Sequence, residues 1–356
     1  MQQDKVMVRL GGVSETLMFP LWGRAQLSKE YSSLFYDEKA IELVEKIDYD
    51  FSASDLPFGG TMFNTPLKDN LLPMFSLVAL MGKQFDDKIK AYITEHPRAS
   101  VVNIGAGLDA TFYRVDNGTI HWYDLDLPAV IDVRRQLLPE PDRVTCIAKS
   151  LFDPSWCKDV KYTEDGVFMF AGEVLQFFEE TQVKQFFSML ADNFPDGEIV
   201  FTAMTRSDDG FRAWMDMFPQ EQRDAMEAAW MEAMEEWWEK VPQDQKDDAI
   251  TALKTPTKPK GTEWADIEAW LEKLNDEEKA RSLSDLMTAF SHMPSGRGGW
   301  TLEDANEITK WDNRITVLDQ LSLFKNIPRD LLSADMRRVM DHFDESGGLN
   351  IFHLRV

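Results

Sequence analysis

The sequence predicts a doubly wound α/β fold, a mostly parallel seven-stranded sheet layered between helices, on three observations. Between about residues 99 and 205, short apolar runs rich in β-formers alternate with helical stretches, the order that parallel strands with crossover helices require. The first run, Ser100-Val101-Val102-Asn103-Ile104, leads straight into Gly105-Ala106-Gly107, a tight turn of the kind that lets backbone approach a ligand at a strand end. Hydrophobic residues make up 44% of the chain, with 23 Phe, enough to cover both faces of such a sheet.

Five strands are expected in this stretch, at 100–104, 120–124, 145–148, 167–171 and 198–203, with a helix over 180–194 stopped by Pro195 and Gly197. Residues 1–98 read as an N-terminal helical layer. Asp37-Glu38 opens one helix, with Ile41, Val44 and Ile47 on one face, and helical spacing returns over 71–93 after a Ser, Pro and Gly-rich loop at 48–70. Residues 206–299 change texture. They are acidic and hold six of the 11 tryptophans, with Met226, Trp230, Met234 and Trp237 at helical spacing, and they read as an inserted helical cap. Residues 300–356 return to the core with a helix over 302–311, a strand over 314–318 and a last, antiparallel strand at 350–354.

A formal net charge of −24 excludes nucleic acid as a partner, since nothing would neutralise its phosphates, and it disfavours anionic membrane surfaces equally. No apolar run approaches the roughly 20 residues needed to span a bilayer, and Met1-Gln2-Gln3-Asp4-Lys5 lacks the apolar stretch of a secretion signal. Cys146 and Cys157 match no zinc or redox spacing, and the five histidines are scattered. A cytoplasmic enzyme acting on a small molecule is the expectation, with a homodimer arm as the rival use of the insertion.

The glycine turn alone says only that a nucleotide-like ligand binds at a strand end. Asp124 and Asp126, 19 and 21 residues past Gly105, supply the carboxylate that accepts ribose hydroxyls. Gly105-x-Gly107-x-x-Ala110 also satisfies the dinucleotide fingerprint, so an NAD-dependent oxidoreductase stands beside an S-adenosylmethionine enzyme at this point. No Tyr-x-x-x-Lys or His-centred set supports the oxidoreductase.

The stretch Val101-Val102-Asn103-Ile104-Gly105-Ala106-Gly107-Leu108-Asp109-Ala110-Thr111-Phe112-Tyr113-Arg114 resembles the V-N-x-G-A-G-x-D-T-x-x-x-R signature of the leucine carboxyl methyltransferase superfamily, which includes bacterial polyketide O-methyltransferases. Asp124-Leu125-Asp126-Leu127-Pro128 looks like its E/D-x-D-x-P stretch, and Glu15-Thr16-Leu17 with Leu21-Trp22-Gly23-Arg24-Ala25 its N-terminal region. The resemblance implies a Rossmann-like core binding S-adenosyl-L-methionine. Gly105, Ala106 and Gly107 would then lie against its methionine part, Asp126 and Asp124 would take the ribose, and Ser150-Leu151 would flank the adenine. It also implies a methyl acceptor that is a small-molecule hydroxyl or carboxylate, and we expect Arg24, Tyr113 and Arg114 near that acceptor. Two departures stand out. The family's A-E-G-x-L appears here as Ala171-Gly172-Glu173-Val174-Leu175, with Gly and Glu exchanged. The Arg of its R-A-x-x-F-D-D helix, which pairs with the cofactor's carboxylate, is Met81, leaving Lys83 as the nearest cation. Glu173 and Lys83 complete the expected cofactor set, and the Met81 departure keeps open a non-catalytic protein that uses the fold for scaffolding.

Overall fold

The computed structural model describes residues 5–8, 17–49, 68–161, 163, 165–205, 220, 300–347 and 349–356. The chain divides into two compact units. The first is Met1–Phe51 with Asn70–Ser207 and Trp300–Val356, and it holds the sheet. The second, Ser52–Asp69 with Asp208–Gly299, lies almost wholly outside the described residues, as do the expected cap and most of the expected loop at 48–70.

Seven strands form one sheet: β1 (Ser100–Ile104), β2 (His121–Asp126), β3 (Val144–Ala148), β4 (Val167–Ala171), β5 (Glu198–Met204), β6 (Thr316–Ser322) and β7 (Leu349–Arg355). Their spatial order is β3-β2-β1-β4-β5-β7-β6. The first five run parallel, and β7 is antiparallel to both β5 and β6. The chain leaves β1 towards β2 on one side and later returns to β4 on the other. The carboxyl ends of β1 and β4 therefore flank the switch point where such sheets bind ligands.

Both faces of the sheet are buried, which is why β4 reads as an unbroken apolar run and β1 as one broken only by the buried, hydrogen-bonded Asn103. Side chains of alternate residues point to opposite faces. Val102, Ile104, Met169 and Phe201 pack against α6 (Glu180–Asn193) through Val183, Phe186, Phe187 and Leu190. Val101, Trp122, Phe168 and Phe170 pack against α3 (Lys68–Glu95), α4 (Phe112–Val115) and α8 (Ala334–Ser346). A third cluster joins α1 (Met18–Glu30) and α2 (Glu38–Lys46) to Leu108 and to Leu137 of α5 (Pro128–Leu137). Asp37 caps α2 as its sequence position implies, accepting the Ala40 N–H at 2.9 Å.

The C-terminal elements differ in detail from the expectation. The helix read over 302–311 shortens to α7 (Asn306–Thr309), and the strand read at 314–318 shifts to Thr316–Ser322. As an edge strand, β6 is exposed on alternate residues, so its apolar pattern is weak. Helix α8 was not expected, although its signals are present. Ser333 caps it through the Met336 N–H, buried Met336 and Met340 stand four apart, and Gly347 ends it at φ +65°. Among the described residues, no helix is long and apolar enough to cross a membrane.

Phe352 of β7 is fully buried and stacks on Phe201 of β5, ring centroids 5.3 Å apart. Phe352→Ala should destabilise the protein by about 3–5 kcal/mol, read as a shift in the denaturant midpoint.

Candidate active site

The turn after β1 turns back on β2. The Gly105 and Ala106 N–H groups both donate to the Leu125 carbonyl, at 2.8 and 3.1 Å, and the Gly107 N–H donates to Asp126 Oδ2 at 2.8 Å. Gly105 and Gly107 adopt φ +69° and +46°, the left-handed region that side chains disfavour. Space demands glycine as well: a Cβ on Gly105 would run into the Val174 side chain, and one on Gly107 would stand 2.6 Å from Leu17 Cδ2. Ala106 is buried beside them.

Behind the turn lie buried charges. Three successive carbonyls are held by arginine: Gly107 O and Asp109 O accept from Arg134 Nη1 at 3.0 and 2.6 Å, and Leu108 O accepts from Arg24 Nη2 at 3.1 Å. Arg134, on α5, also donates through Nε and Nη2 to Asp124 Oδ2 at 3.1 and 2.7 Å. Arg114 makes a bidentate pair with Asp86 of α3 at 2.8 and 3.0 Å and reaches Asp37 at 2.5 Å, with Thr111 Oγ1 at 2.6 Å. Burial pushes the Asp109 carboxyl up, but Arg114, Arg24, Thr111 and Arg134 together hold it below the usual carboxylate range.

These partners separate the two aspartates of β2. Asp124 is 1% exposed, and its carboxylate accepts four bonds: Trp122 Nε1 at 2.9 Å, Asn103 Nδ2 at 3.2 Å and the two from Arg134. A carboxylate offers about four acceptor directions, so Asp124 has none left for a ribose. This corrects the expectation: it is the counter-ion of Arg134. Asp126, at the strand end and only partly buried, accepts from Gly107 N–H and, at 2.7 Å, from Leu127 N–H. Burial raises its pKa, and those two backbone bonds oppose the rise.

The residues expected near the acceptor also face elsewhere. Arg24 and Arg114 belong to the buried charge cluster behind the turn, and Tyr113 donates its hydroxyl to Pro139 O at 3.0 Å. Lys83 pairs with Asp87 one turn along α3, at 2.6 Å, rather than standing free as a ligand cation. Ser150 and Leu151 follow β3, where Ser150 closes a short turn through the Asp153 N–H and the Leu151 carbonyl accepts Trp156 Nε1 at 3.0 Å.

Across the switch point, the loop after β4 carries Gly172, Glu173 and Val174. Glu173 holds φ +55°, a left-handed conformation that glycine adopts freely and that costs another residue roughly 1–2 kcal/mol. The exchanged order therefore sets a glutamate where the backbone favours glycine, and strain of this kind gathers at ligand sites. Glu173 N–H donates to Thr202 Oγ1 at 2.9 Å, and its carboxyl has no partner among the described residues. Burial alone pushes that carboxyl up to about 7. Gly172 matters through its missing side chain: a Cβ there would stand 2.9 Å from Phe85 and 3.8 Å from Met81 Sδ. Met81, 4% exposed, thus lies against the loop after β4.

Residues 18–148 match the family model described as leucine carboxyl methyltransferase. Among curated proteins, the chain is 28% identical over 198 residues to the tetracenomycin polyketide synthesis O-methyltransferase TcmP of Streptomyces glaucescens, spanning 55% of this chain and 68% of that protein. It is 26% identical over 216 residues to the S-adenosyl-L-methionine-dependent methyltransferase dpfgK of Gibberella zeae, spanning 56% and 69%. A solved structure of a putative methyltransferase from Thermobifida fusca is 10% identical with a TM-score of 0.41, covering 94% of this chain and 93% of that one.

Two predictions follow from the charges. Arg114→Met should destabilise the protein by about 3–5 kcal/mol at neutral pH, with stability partly recovering as pH falls and the orphaned Asp86 carboxyl takes up a proton. Chemical denaturation at pH 5 and pH 8 would show it. For Glu173, the folded pKa of about 7 lies above the reference value of 4.5, so the folded state binds the extra proton between them. Stability should accordingly fall as pH rises through that window and level off above it. Glu173→Gln should abolish this slope and be the more stable form at pH 8.

Proposed function

We propose that this chain transfers a methyl group from S-adenosylmethionine to an oxygen of a small molecule, a reading supported by the match of residues 18–148 to the leucine carboxyl methyltransferase family model. The observation that carries the reading is the switch point itself. A glycine turn, a carboxylate on its Gly107 N–H and the Glu173 carboxyl, which has no partner among the described residues, converge where the sheet reverses order.

The residues present fit most of the cofactor. Gly105 and Gly107 give backbone without Cβ atoms, Asp126 would offer its carboxylate to the ribose hydroxyls, Ser150-Leu151 after β3 would flank the adenine, and Glu173, whose carboxyl has no partner among the described residues, would face a positively charged group. The cofactor's own carboxylate is the exception, since Met81 offers it no charge. A charge-assisted bond is worth about 1.5–3 kcal/mol, so binding some ten- to a hundredfold weaker than in a protein with arginine there is expected.

When bound, the cofactor supplies a methyl group already activated on a sulfonium, and the chain's task is to orient the acceptor and exclude water. A carboxylate acceptor arrives ionised and needs no general base, whereas a phenol needs its proton removed.

Calorimetry with S-adenosylmethionine, S-adenosylhomocysteine and NAD tests the reading. Binding of the two sulfur compounds supports it, NAD alone would replace it with an oxidoreductase, and no binding would favour scaffolding. Asp126→Asn should weaken S-adenosylhomocysteine binding about tenfold or more, and Gly105→Ala should abolish it, because the new Cβ would meet Val174 in a backbone conformation only glycine holds easily.

A further inference from the structure

Arg134 is 3% exposed and makes four hydrogen bonds, two to Asp124 and two to the carbonyls of Gly107 and Asp109. Those carbonyls flank the residue whose own carbonyl Arg24 holds. A trans peptide points its N–H away from its carbonyl, so fixing the Gly107 and Asp109 carbonyls on the helix side fixes how the turn presents its other face. Gly107 is held from both directions, with its carbonyl on Arg134 and its N–H on Asp126 Oδ2 at 2.8 Å.

We propose that Arg134 is a positioning residue: its guanidinium, itself oriented by Asp124, sets the glycine turn and through Gly107 holds Asp126 in the rotamer that faces the ligand. A lysine at this position would carry the charge without the planar fork, and its single ammonium cannot hold Asp124 side-on while also spanning two carbonyls. Loss of the fork would free Gly107 to rotate and leave the Asp126 carboxylate held by the Leu127 N–H alone. The effect on ligand binding rests on the proposed function, whereas the effect on the turn does not.

The test compares wild type, Arg134→Lys, Asp124→Asn and Val183→Ala, the last a core substitution in α6 that removes none of the turn's hydrogen bonds. Amide exchange of the peptide spanning 104–110 is followed by mass spectrometry without ligand, and S-adenosylhomocysteine affinity is measured by calorimetry well below each variant's Tm. Arg134→Lys should speed exchange in the turn but not in β4 or β5, and should weaken binding by roughly tenfold or more. Asp124→Asn should act in the same direction and serves if the lysine variant fails to fold. Val183→Ala should lower Tm and leave both readouts unchanged. Wild-type exchange and affinity in Arg134→Lys, or an equal disturbance of the turn by Val183→Ala, would overturn the proposal. If wild type binds neither sulfur compound, the methyltransferase reading falls, and turn exchange alone still decides the role of Arg134.

Discussion

The buried pair of Arg134 and Asp124 is the constraint on which the rest of this site depends. Each partner alone would be an uncompensated charge in a core where removing one member of such a pair costs several kcal/mol. With Trp122, Asn103 and two turn carbonyls they fill the four acceptor directions of Asp124 and engage four of the five N–H donors of Arg134. Buried ion pairs contribute little net stability compared with apolar packing of equal volume. What this one contributes is direction. It links the middle of β2, the body of α5 and the back of the glycine turn, three elements that apolar contacts alone would leave free to slide.

A second cluster does for the N-terminal helices what Arg134 does for the sheet. Arg114 gathers Asp37 from the start of α2, Asp86 from α3 and Asp109 from the turn, while Arg24 ties α1 to the same group. The trailing Asp and Arg of the glycine signature are thus structural partners at the back of the turn, and under the proposed function the ligand face is left to backbone, Asp126 and Glu173. Glu173 stands apart from these satisfied groups. It combines a disfavoured backbone conformation with a partly buried carboxyl that no described residue neutralises. Such a residue lowers the stability of the ligand-free protein and is relieved by whatever positive group meets it.

The sheet was legible because parallel strands buried on both faces carry a mostly apolar signal: β1 and β4 end where their sequence runs end, and the last strand lies on its separate apolar run. Strand β6 and helix α7 were legible in type and not in extent, since an exposed edge strand and a four-residue helix carry little periodicity. Helix α8 had a cap, a spaced pair of methionines and a terminal glycine, and it was missed although those signals are present. The turn was readable from glycines alone. The partners of charged residues were not: Asp124 and Asp126 are both acids two residues apart on one strand, and only the position of Arg134 on the next helix decides which is consumed. Arg24, Arg114 and Lys83 were misplaced for the same reason, as a sequence shows charge and spacing but not which face of an element meets another.

The sheet order carries a consequence for how the chain is made. β5 ends at Met204 and its antiparallel neighbour begins at Leu349, pairing Met204 with Leu349 and Glu198 with Arg355 at the far end. Chain synthesis proceeds from the N-terminus, so the first five strands can assemble while β5 still presents a bare row of backbone donors and acceptors. Loop-closure entropy grows only slowly with length, so the intervening segment adds little to the equilibrium cost of closing the sheet. Its effect is on time: the nascent chain carries an open sheet edge until β7 has been made and has left the ribosome. A chain cut short before Leu349 would therefore expose the β5 edge, so the pairing of β7 is the step that shields this sheet from association with other chains.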